Sequence, residues 1–376
     1  MNNTHFTSIW GNAVSISENH PASYGKDITF CYPVISPFTG DAIRITLDNY
    51  CGLEAISFAK ATIAHNDTFY PIFFNGQRNV SIAAEGNAVS DELLIDVKSG
   101  DKLEVRFYID DFTTLRSSVY VCGQYSDSAY YAIGDQTEAN DITIDIKLQT
   151  NTVYFLSNVS LRTASSNRTV VCYGDSITAQ DWPDDLQRRC FDEGYENTAI
   201  IRRATSGSRI LREYHCIRYE SYGLMGEKRF NHEVPTDGAD TVIIQQGIND
   251  IIHPVGTDVN PYRPMSDLPT VEELIEGIKK YIADARTLGY KVYLGTLLPI
   301  GGWRTYAPFR DEMRNKLNDW MRTTDLADGC IDFDAAVRDP ENPSYFLPEY
   351  DSGDHLHPSK AGYKKMASVV PAEILR

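Results

Sequence analysis

The chain has 376 residues, of which 42% are hydrophobic and 23% are charged, and its formal net charge is −17. This length is enough for two ordinary domains, and the composition is that of a globular protein. The acidic excess argues against nucleic acid as a partner and gives no support for docking on an anionic membrane, since both need clustered lysine and arginine.

Residues 1–165 are predicted to form a β domain. The stretches 41–49, 102–109 and 142–148 alternate apolar with polar residues. A period of two is typical of antiparallel strands with one face in solvent. Turn-forming residues separate these runs and no helical pattern lies between them, so we predict a sandwich or jelly roll.

The pattern changes after residue 165, and the polar stretch 162–168 is predicted to be a linker. In residues 166–376, short apolar runs alternate with helical patterns, which predicts a parallel, doubly wound sheet with helices on both faces. The predicted strands are 170–173, 199–202, 241–244, 291–295 and 331–333. The clearest predicted helices are 270–289, which begins with a capping-box pattern at Thr270 and Glu273, 310–322 and 359–370.

The cysteines and the termini indicate the compartment. Seven scattered cysteines with no C-x-x-C pair favour reduced thiols over a disulfide framework. They are Cys31, Cys51, Cys122, Cys172, Cys190, Cys216 and Cys330. The first residues lack the basic and apolar segments of a signal peptide, and no apolar stretch approaches the ~20 residues that span a bilayer. We therefore expect a cytoplasmic protein, and its charge is compatible with a monomer or a homo-oligomer.

A Gly-Asp-Ser triplet, residues 174–176, follows the first predicted strand of the parallel sheet. Sites in open α/β sheets form at the carboxyl ends of strands, so Ser176 could present its hydroxyl to a cleft. A lone serine after a strand is more often a turn residue, and Asp175 is expected to shape that turn. A nucleophilic serine also needs a base, a group that orients the base, and donors for the oxyanion.

Two Asp-x-x-His pairs could supply the base and its orienting acid. They are Asp250 with His253, after the third predicted strand, and Asp354 with His357, before the last predicted helix. At this spacing the carboxylate can reach the near ring nitrogen and leave the other nitrogen for a hydroxyl. His355 has no acid three residues before it. By spacing alone, the two pairs are nearly equivalent.

Two further segments could supply oxyanion donors. Backbone N–H groups in glycine turns and asparagine side chains serve this purpose in acyl-transfer enzymes. Gly207 follows the second predicted strand of the sheet, and Asn249 follows the third. Both residues are therefore expected at the same edge of the sheet as Ser176.

Taken together, four blocks resemble those of the GDSL/SGNH hydrolase superfamily, in the same order. The blocks are GDSI at 174–177, Gly207, GIND at 247–250 and DHLH at 354–357. The resemblance covers roughly residues 168–372, and GDSI stands where the family often has GDSL. The chain most resembles bacterial GDSL-type acylhydrolases that carry an N-terminal β domain.

This resemblance implies an SGNH, flavodoxin-like fold for the second domain and a role for each block. Ser176 would be the nucleophile, His357 the base and Asp354 the acid that orients it, so the second Asp–His pair is favoured. The backbone N–H groups of Ser176 and Gly207 and the side chain of Asn249 would form the oxyanion hole. No metal-binding motif is present, so no metal or other cofactor is expected.

The substrate is less clearly indicated. Trp182, Trp303, Arg304 and Tyr306 follow strand ends, where aromatic rings could stack on sugars, although such rings also cap hydrophobic cores. No lid-like insertion stands out, and the layout is similar to carbohydrate acetylesterases, so we expect acetyl esters of oligosaccharides. A general short-chain carboxylesterase, a thioesterase, a lysophospholipase and, less favoured, a non-catalytic sugar-binding protein are the alternatives.

Overall fold

The computed structural model describes residues 4–16, 24–121, 129–143, 146–214 and 222–376. These residues form an all-β half followed by a half built on a parallel sheet. Two of the predicted thiols, Cys122 and Cys216, lie outside the described residues, as does Ile144 of the predicted strand 142–148.

The N-terminal half is a β-sandwich of two larger antiparallel sheets. Its strands are β1 Thr4–Gly11, β2 Ser15–Ile16, β3 Tyr24–Gly25, β4 Ile28–Ile35, β5 Gly40–Asp48, β6 Ile56–Phe58, β7 Lys60–His65, β8 Thr68–Ile72, β9 Val80–Ile82, β10 Asn87–Val89, β11 Leu93–Val97, β12 Lys102–Ile109, β13 Thr113–Thr114, β14 Ser117–Tyr120, β15 Tyr130–Ile133, β16 Lys147–Gln149, β17 Thr152–Tyr154 and β18 Leu156–Ala164. One sheet has the order β1-β18-β5-β10, with β11 also pairing with β5, and the other has the order β16-β15-β4-β12-β7-β8. Apolar residues of both sheets share one core, as expected for a sandwich.

The predicted alternation holds in β5 and, with one difference, in β12. In β5, Ile43, Ile45 and Leu47 are buried, as the period of two requires. In β12, Arg106 belongs to the face predicted to be wet, yet it is buried. Its Nε donates a hydrogen bond to Oε1 of Glu104 at 2.6 Å. Its Nη1 donates to the carbonyls of Gln136 at 3.0 Å and Ala139 at 2.8 Å. The guanidinium can therefore lie inside this face, because it is paired with a carboxylate and hydrogen-bonded.

The third predicted strand, 142–148, is wrong in its extent. Among the described residues of this stretch, strand structure is confined to Lys147–Gln149, whose three residues are all exposed. Ile142 precedes it in a segment without strand pairing. The apolar period does not mark a buried face here because β16 is the edge strand of its sheet.

The C-terminal half contains the predicted parallel sheet. Its strands are β19 Arg168–Gly174, β20 Thr198–Ala204, β21 Ala239–Gln245, β22 Lys291–Gly295 and β23 Gly329–Ile331. They pair in parallel in the order β20-β19-β21-β22-β23. The first strand thus lies between the second and the third, which is the flavodoxin-like order of a doubly wound sheet.

Helices connect these strands and form two packed groups. They are α1 Trp182–Glu193, α2 Gly226–Glu233, α3 Ile248–Ile252, α4 Val271–Thr287, α5 Pro308–Thr323, α6 Phe333–Val337, α7 Lys360–Val369 and α8 Ala372–Leu375. Helix α7 contacts α1 and α6, whereas α4 contacts α2 and α5, and α3 contacts α5. These two groups are the outer layers of the predicted three-layer fold.

Local signals account for the ends of two elements. The Thr270 hydroxyl accepts the Glu273 N–H at 3.2 Å, and the Glu273 carboxylate accepts the Thr270 N–H at 2.8 Å, so the predicted capping box begins α4. Strand β23 ends at Ile331, two residues earlier than predicted. The reason is that the Asp332 side chain accepts the Ala335 N–H and thereby caps α6.

The two halves are joined through a buried arginine on β20. Arg203 Nη1 donates to the Asn12 carbonyl at 2.6 Å, Nη2 donates to Oδ1 of Asn158 at 3.1 Å, and Nε donates to the Glu233 carbonyl at 2.8 Å. A Cβ added to Gly11 would lie 2.7 Å from the same guanidinium. Burial lowers the pKa of Arg203 to about 10, although Glu233 partly offsets the effect.

The connection between the halves is shorter than predicted. Strand β18 continues to Ala164 and β19 begins at Arg168, so the first residues of the predicted linker 162–168 belong to a strand. The domain boundary at residues 165 and 166 stays a prediction.

The sequence predicted reduced thiols and no apolar stretch long enough to span a bilayer. The described cysteines that are free are Cys31, Cys51, Cys172, Cys190 and Cys330, of which the first four are buried. Across the described ranges, none of the helices combines the length and the apolar character needed to cross a bilayer.

Candidate active site

Ser176 stands two residues after the end of β19, at the carboxyl edge of the parallel sheet. Gly174 ends that strand, and a Cβ there would lie 2.4 Å from the Gln245 carbonyl oxygen, so only glycine fits. Asp175 is buried, and its Oδ1 accepts the Ile177 N–H at 3.1 Å, which holds the turn as expected. Burial raises the pKa of the Asp175 carboxyl to about 7.

Ser176, His357 and Asp354 form a continuous hydrogen-bonded chain. The Ser176 Oγ lies 2.8 Å from Nε2 of His357, and Nδ1 of His357 lies 2.7 Å from Oδ2 of Asp354. Because a carboxylate can only accept, Nδ1 carries the proton and Nε2 is left to accept from the hydroxyl. This is the polarity that a serine nucleophile requires from its base.

The loop that carries the acid also fixes it. Oδ1 of Asp354 accepts the backbone N–H groups of Leu356 and His357 at 2.9 and 2.8 Å, and the hydroxyl of Ser352 donates to it at 3.0 Å. Burial alone would raise the pKa of Asp354, but the hydrogen bonds from the His357 ring and from these backbone groups outweigh it. They hold the pKa of Asp354 well below its usual range, so the carboxylate stays charged.

The other Asp–His pair is arranged differently. The Asp250 carboxylate accepts the backbone N–H groups of Ile210 at 2.8 Å and Leu211 at 3.1 Å, so it fixes the loop after β20. Within the described part of the chain, no hydrogen bond joins Asp250 to His253. Spacing left the two pairs equivalent, whereas in the structure it is His357 that lies against Ser176.

His355 has an acid partner that the sequence analysis did not identify. Its Nδ1 lies 2.6 Å from Oδ2 of Asp351, four residues earlier. Its ring is next to Gly302, where a Cβ would lie 2.8 Å from the ring. A spacing of three residues does not identify this pair, because Asp351 stands four residues before His355.

The predicted oxyanion donors border the same cavity as the serine. Ser176, Gly207, Asn249 and His357 line a cavity of about 290 Å³ that is open to solvent, which we call the Ser176 cleft. Gly207 has a φ of 76°, and a Cβ there would lie 2.5 Å from the ring of Tyr222. The conformation and the contact both require glycine.

The side chain of Asn249 is hydrogen-bonded to the loop that follows β20. Its Nδ2 donates one hydrogen bond to the Ser208 carbonyl at 3.1 Å. An amide nitrogen has two N–H donors, so the other donor is left for a ligand. Asn249 is the second residue of the short helix α3, whose N-cap is Gly247 with a φ of 129°.

Three ring-bearing side chains are among the cleft residues that were not predicted as lining residues. Tyr120 comes from β14 in the N-terminal half, Tyr222 packs over Gly207, and His253 belongs to the first Asp–His pair. Only His253 carried a signal, since it had been considered as a base. Nothing in the short sequence around Tyr120 indicates that it reaches a site on the other half.

Trp182 was predicted at the rim of the site, and the structure corrects this. Its side chain is fully buried, its ring lies 5.3 Å from the ring of Phe333, and its Nε1 donates to the Thr178 hydroxyl at 3.4 Å. Trp182, Leu186 and Cys190 are spaced four apart and all face inward on α1. This helical period could have identified the tryptophan as a core residue.

Of the other residues predicted near the substrate, two line the Ser176 cleft and one does not. Trp303 and Arg304 line the Ser176 cleft, and the Arg304 guanidinium lies 4.6 Å from the centre of the Trp303 ring. Tyr306 is not among the cleft residues in the described ranges; its ring is 6.4 Å from that of Tyr345. Among the residues whose placement is described, no cluster of three or more histidine, cysteine or acidic side chains could hold a metal ion.

Comparison with known structures gives similar chains at low identity. A GDSL-like lipase from Bacteroides thetaiotaomicron is 20% identical, with a TM-score of 0.37, over 55% of this chain and 87% of that one. A lipase/acylhydrolase from Enterococcus faecalis is 22% identical, with a TM-score of 0.40, over 55% and 95%. A variant of an acetyl xylan esterase from Geobacillus stearothermophilus is 18% identical, with a TM-score of 0.41, over 55% and 94%.

Comparison of sequences identifies the family of this chain. No curated protein sequence matches the chain. The family model described as GDSL-like Lipase/Acylhydrolase matches residues 172–365, which is more than half of the 376 residues and spans all four sequence blocks. This match confirms the resemblance seen in the sequence, and the chain belongs to the GDSL-like lipase/acylhydrolase family.

Proposed function

We propose that the protein is a serine esterase that removes short acyl groups, above all acetyl, from an oligosaccharide ester. Membership of the acylhydrolase family supports the general reaction, which is hydrolysis of a carboxylic ester. The single observation that carries the proposal is the chain from Ser176 Oγ through the His357 ring to the Asp354 carboxylate, with links of 2.8 and 2.7 Å.

In the first half of the proposed reaction, the Ser176 Oγ attacks the ester carbonyl carbon. Nε2 of His357 takes the hydroxyl proton as the new C–O bond forms, and Asp354 stabilises the resulting imidazolium. The tetrahedral intermediate then collapses, the bond to the leaving alcohol breaks, and His357 returns the proton to that alcohol. The acyl group remains on Ser176 as an ester.

In the second half, water replaces the alcohol. His357 takes a proton from the water as its oxygen attacks the acyl-serine carbonyl, and it returns the proton to the Ser176 oxygen as the acid leaves. In both halves, negative charge develops on the carbonyl oxygen. The N–H groups of Ser176 and Gly207 and the free N–H of Asn249 are the proposed donors, and losing one such donor typically costs ~10²–10³ in kcat.

The Ser176 cleft supports a sugar as the acyl acceptor. Its volume of about 290 Å³ is close to the lower limit for small-molecule sites, and Tyr120, Tyr222 and Trp303 contribute aromatic surface. Aromatic rings pack well against the apolar faces of sugar rings while their polar atoms meet hydroxyl groups. Tyr120 is half exposed, so it is accessible from the mouth of the cleft.

The test is acetate release from a panel of acetylated oligosaccharides, measured for the wild type and Ser176→Ala. Ser368→Ala, an exposed serine on α7, is the matched control. We expect sugar deacetylation by the wild type and the control and a loss of at least about 10³-fold in Ser176→Ala. Full activity of Ser176→Ala would overturn the assigned nucleophile.

A chain-length series separates the proposed substrate from the alternatives. Esters of one alcohol with acyl chains from acetyl to decanoyl are compared by kcat/KM. A steep fall beyond acetyl is expected, since the proposed substrate carries a small acyl group. A rise toward long chains would favour a lipase or lysophospholipase, and faster turnover of matched thioesters would favour a thioesterase.

A further inference from the structure

One wall of the Ser176 cleft is formed by His253, Trp303 and Arg304, and we call it the Arg304 wall. Two elements meet there, the end of α3 and the loop that precedes α5. The Thr305 hydroxyl donates to the Ile252 carbonyl at 3.0 Å, which ties this loop to the end of α3 beside His253. The wall is therefore fixed relative to Asn249 on the same short helix.

The Arg304 wall is positively charged, whereas the protein as a whole is negatively charged. The chain has 52 acidic and 35 basic residues, yet none of the described residues that line the cleft is aspartate or glutamate. Arg304 is exposed and has no carboxylate partner among the residues whose positions are described. Unlike this arginine, Arg209, which also lies near the wall, has Asp267 at 3.4 Å.

His253, the buried histidine of the wall, lies in the same positively charged environment. Burial, reinforced by the charges of Arg263, Arg209 and Arg304, holds the pKa of His253 well below its usual range. His253 is therefore neutral and adds no compensating charge. A ligand carrying a negative charge would find favourable electrostatics at this wall and unfavourable electrostatics over most of the protein surface.

The wall also contains polar atoms that the protein does not satisfy. Nε1 of Trp303 and Nδ1 of His253 are buried, and neither has a hydrogen-bond partner in the described ranges. Most buried polar atoms in folded proteins are paired, so two atoms in one wall without a partner among the described residues leave hydrogen-bonding capacity that a ligand could use. The Trp303 nitrogen is a donor only, which calls for an acceptor oxygen.

The arginine is held in a pose suited to an anion. Its guanidinium stacks over the Trp303 ring at 4.6 Å, so part of its rotamer freedom is already lost before a ligand binds. A guanidinium can donate two parallel hydrogen bonds to a carboxylate or a phosphate. Arg304 is exposed at the mouth, whereas Ser176 is nearly buried, so an anion there would lie outside the acyl group being cleaved.

We propose that the Arg304 wall is an anion subsite that binds a carboxylate or phosphate on the acyl acceptor while its ester lies at Ser176. The proposal deepens the proposed function and rests on it. The substrate class is then an O-acetylated acidic sugar. Hydrolysis of its ester consumes one water and releases acetate and the acidic sugar, whose anionic group is unchanged.

The test compares kcat/KM for matched esters that differ only in charge. The substrates are a monoacetylated methyl glucoside, the corresponding methyl glucuronide and the corresponding glucoside 6-phosphate, and the readout is the ratio of charged to neutral ester. Within one variant this ratio cancels any loss of folded protein. The variants are Arg304→Gln, Arg304→Lys, Trp303→Phe and the control Arg78→Gln, an arginine of the N-terminal half paired with Glu138.

The wild type and Arg78→Gln are expected to prefer a charged ester by about 10- to 100-fold, as for a hydrogen bond between charged groups. Arg304→Gln should reduce the ratio to near one, and Arg304→Lys and Trp303→Phe should give intermediate values, the former because the planar fork is lost. The uronate and phosphate arms identify which anion the wall accepts. The preference should also decrease as salt is added.

Two results overturn the inference separately from the proposed function. Equal hydrolysis of the neutral and both charged esters by the wild type would overturn the subsite and leave the esterase standing. Hydrolysis of none of the three would count against the proposed function, and the subsite is then decided by calorimetric binding of the same ligands to Ser176→Ala. Equal binding of charged and neutral ligands there would overturn the subsite.

Discussion

Tyr120 and Ser176 line the same cleft, although one belongs to the β-sandwich and the other follows the first strand of the parallel sheet. Strand β14, which ends at Tyr120, pairs with β17 and β2 in a small sheet of the N-terminal half. The N-terminal half therefore contributes directly to the surface that a substrate would meet.

Replacing Tyr120 by alanine should weaken the binding of oligosaccharide esters more than that of small esters. We expect KM for an acetylated oligosaccharide to rise about 3- to 10-fold with little change in kcat, since the ring contributes stacking area and no chemistry. KM for ethyl acetate should change less than twofold. Tyr24→Ala, an exposed tyrosine on β3, is the control. Equal effects on both esters would contradict a role in holding the sugar.

Asp354→Asn should reduce kcat by about 10⁴ with little change in KM, because an amide that donates to Nδ1 of His357 would place the proton on the wrong ring nitrogen. Asp351→Asn is the matched control, since its carboxylate pairs with His355. Initial rates with p-nitrophenyl acetate measure both variants. A similar loss in the two variants would indicate that the loop, and not the Asp354–His357 pair, determines the rate.

Alanine substitutions of Trp182 and Trp303 should affect different properties, the first stability and the second activity. Trp182→Ala removes a fully buried ring, so the free energy of unfolding in urea should fall by about 3–5 kcal/mol. Trp303→Ala removes a partly exposed ring from the cleft, and its main effect should be on kcat/KM for sugar esters. If Trp182→Ala changed substrate preference while its stability stayed the same, the assignment of this residue to the core would be wrong.

Asp175 should make the protein less stable as pH rises from about 4 to 7. Its carboxyl has a pKa of about 7 in the folded state, because it is buried, and about 3.9 when unfolded. Between these values the folded state binds more protons, so the contribution of this group to stability falls as pH increases. The effect is of the order of 1.4 kcal/mol for each unit of difference between the two pKa values.

Asp175→Asn removes this titration while keeping an oxygen that can accept the Ile177 N–H. Urea unfolding at pH 5 and pH 7.5 should show a smaller fall in stability for the variant than for the wild type. The exposed Asp192 on α1 provides the control, Asp192→Asn. Parallel stability curves for the wild type and Asp175→Asn would exclude the raised pKa.

The parallel sheet could be predicted closely because its signals are local. Apolar runs define β19 to β22, and the capping box at Thr270 and Glu273 defines the start of α4. The end of β23 was misplaced because the cap made by Asp332 competes with strand extension. The family blocks then indicated that Ser176, after β19, and His357, before α7, belong to one site.

The remainder depends on contacts that no local pattern encodes. Tyr120 lies in a short strand whose neighbours give no hint of the cleft that it reaches. Spacing within one turn could not distinguish Asp250 from Asp354. Both carboxylates accept backbone N–H groups, and the distinction is that Asp354 also binds the ring of His357, which lies against Ser176. Trp182 was misassigned because its position after a strand was weighed above its helical period.

The buried guanidinium of Arg203 has a consequence for how the two halves of this protein can be recombined during evolution. Its acceptors Asn12 and Asn158 lie in the first half, whereas Arg203 itself lies in the second. A gene truncated between the halves would encode a catalytic half with a cation stripped of these two acceptors at a newly exposed face. We therefore expect that the halves are not freely shuffled modules, and that recombination here requires a compensating change at residue 203.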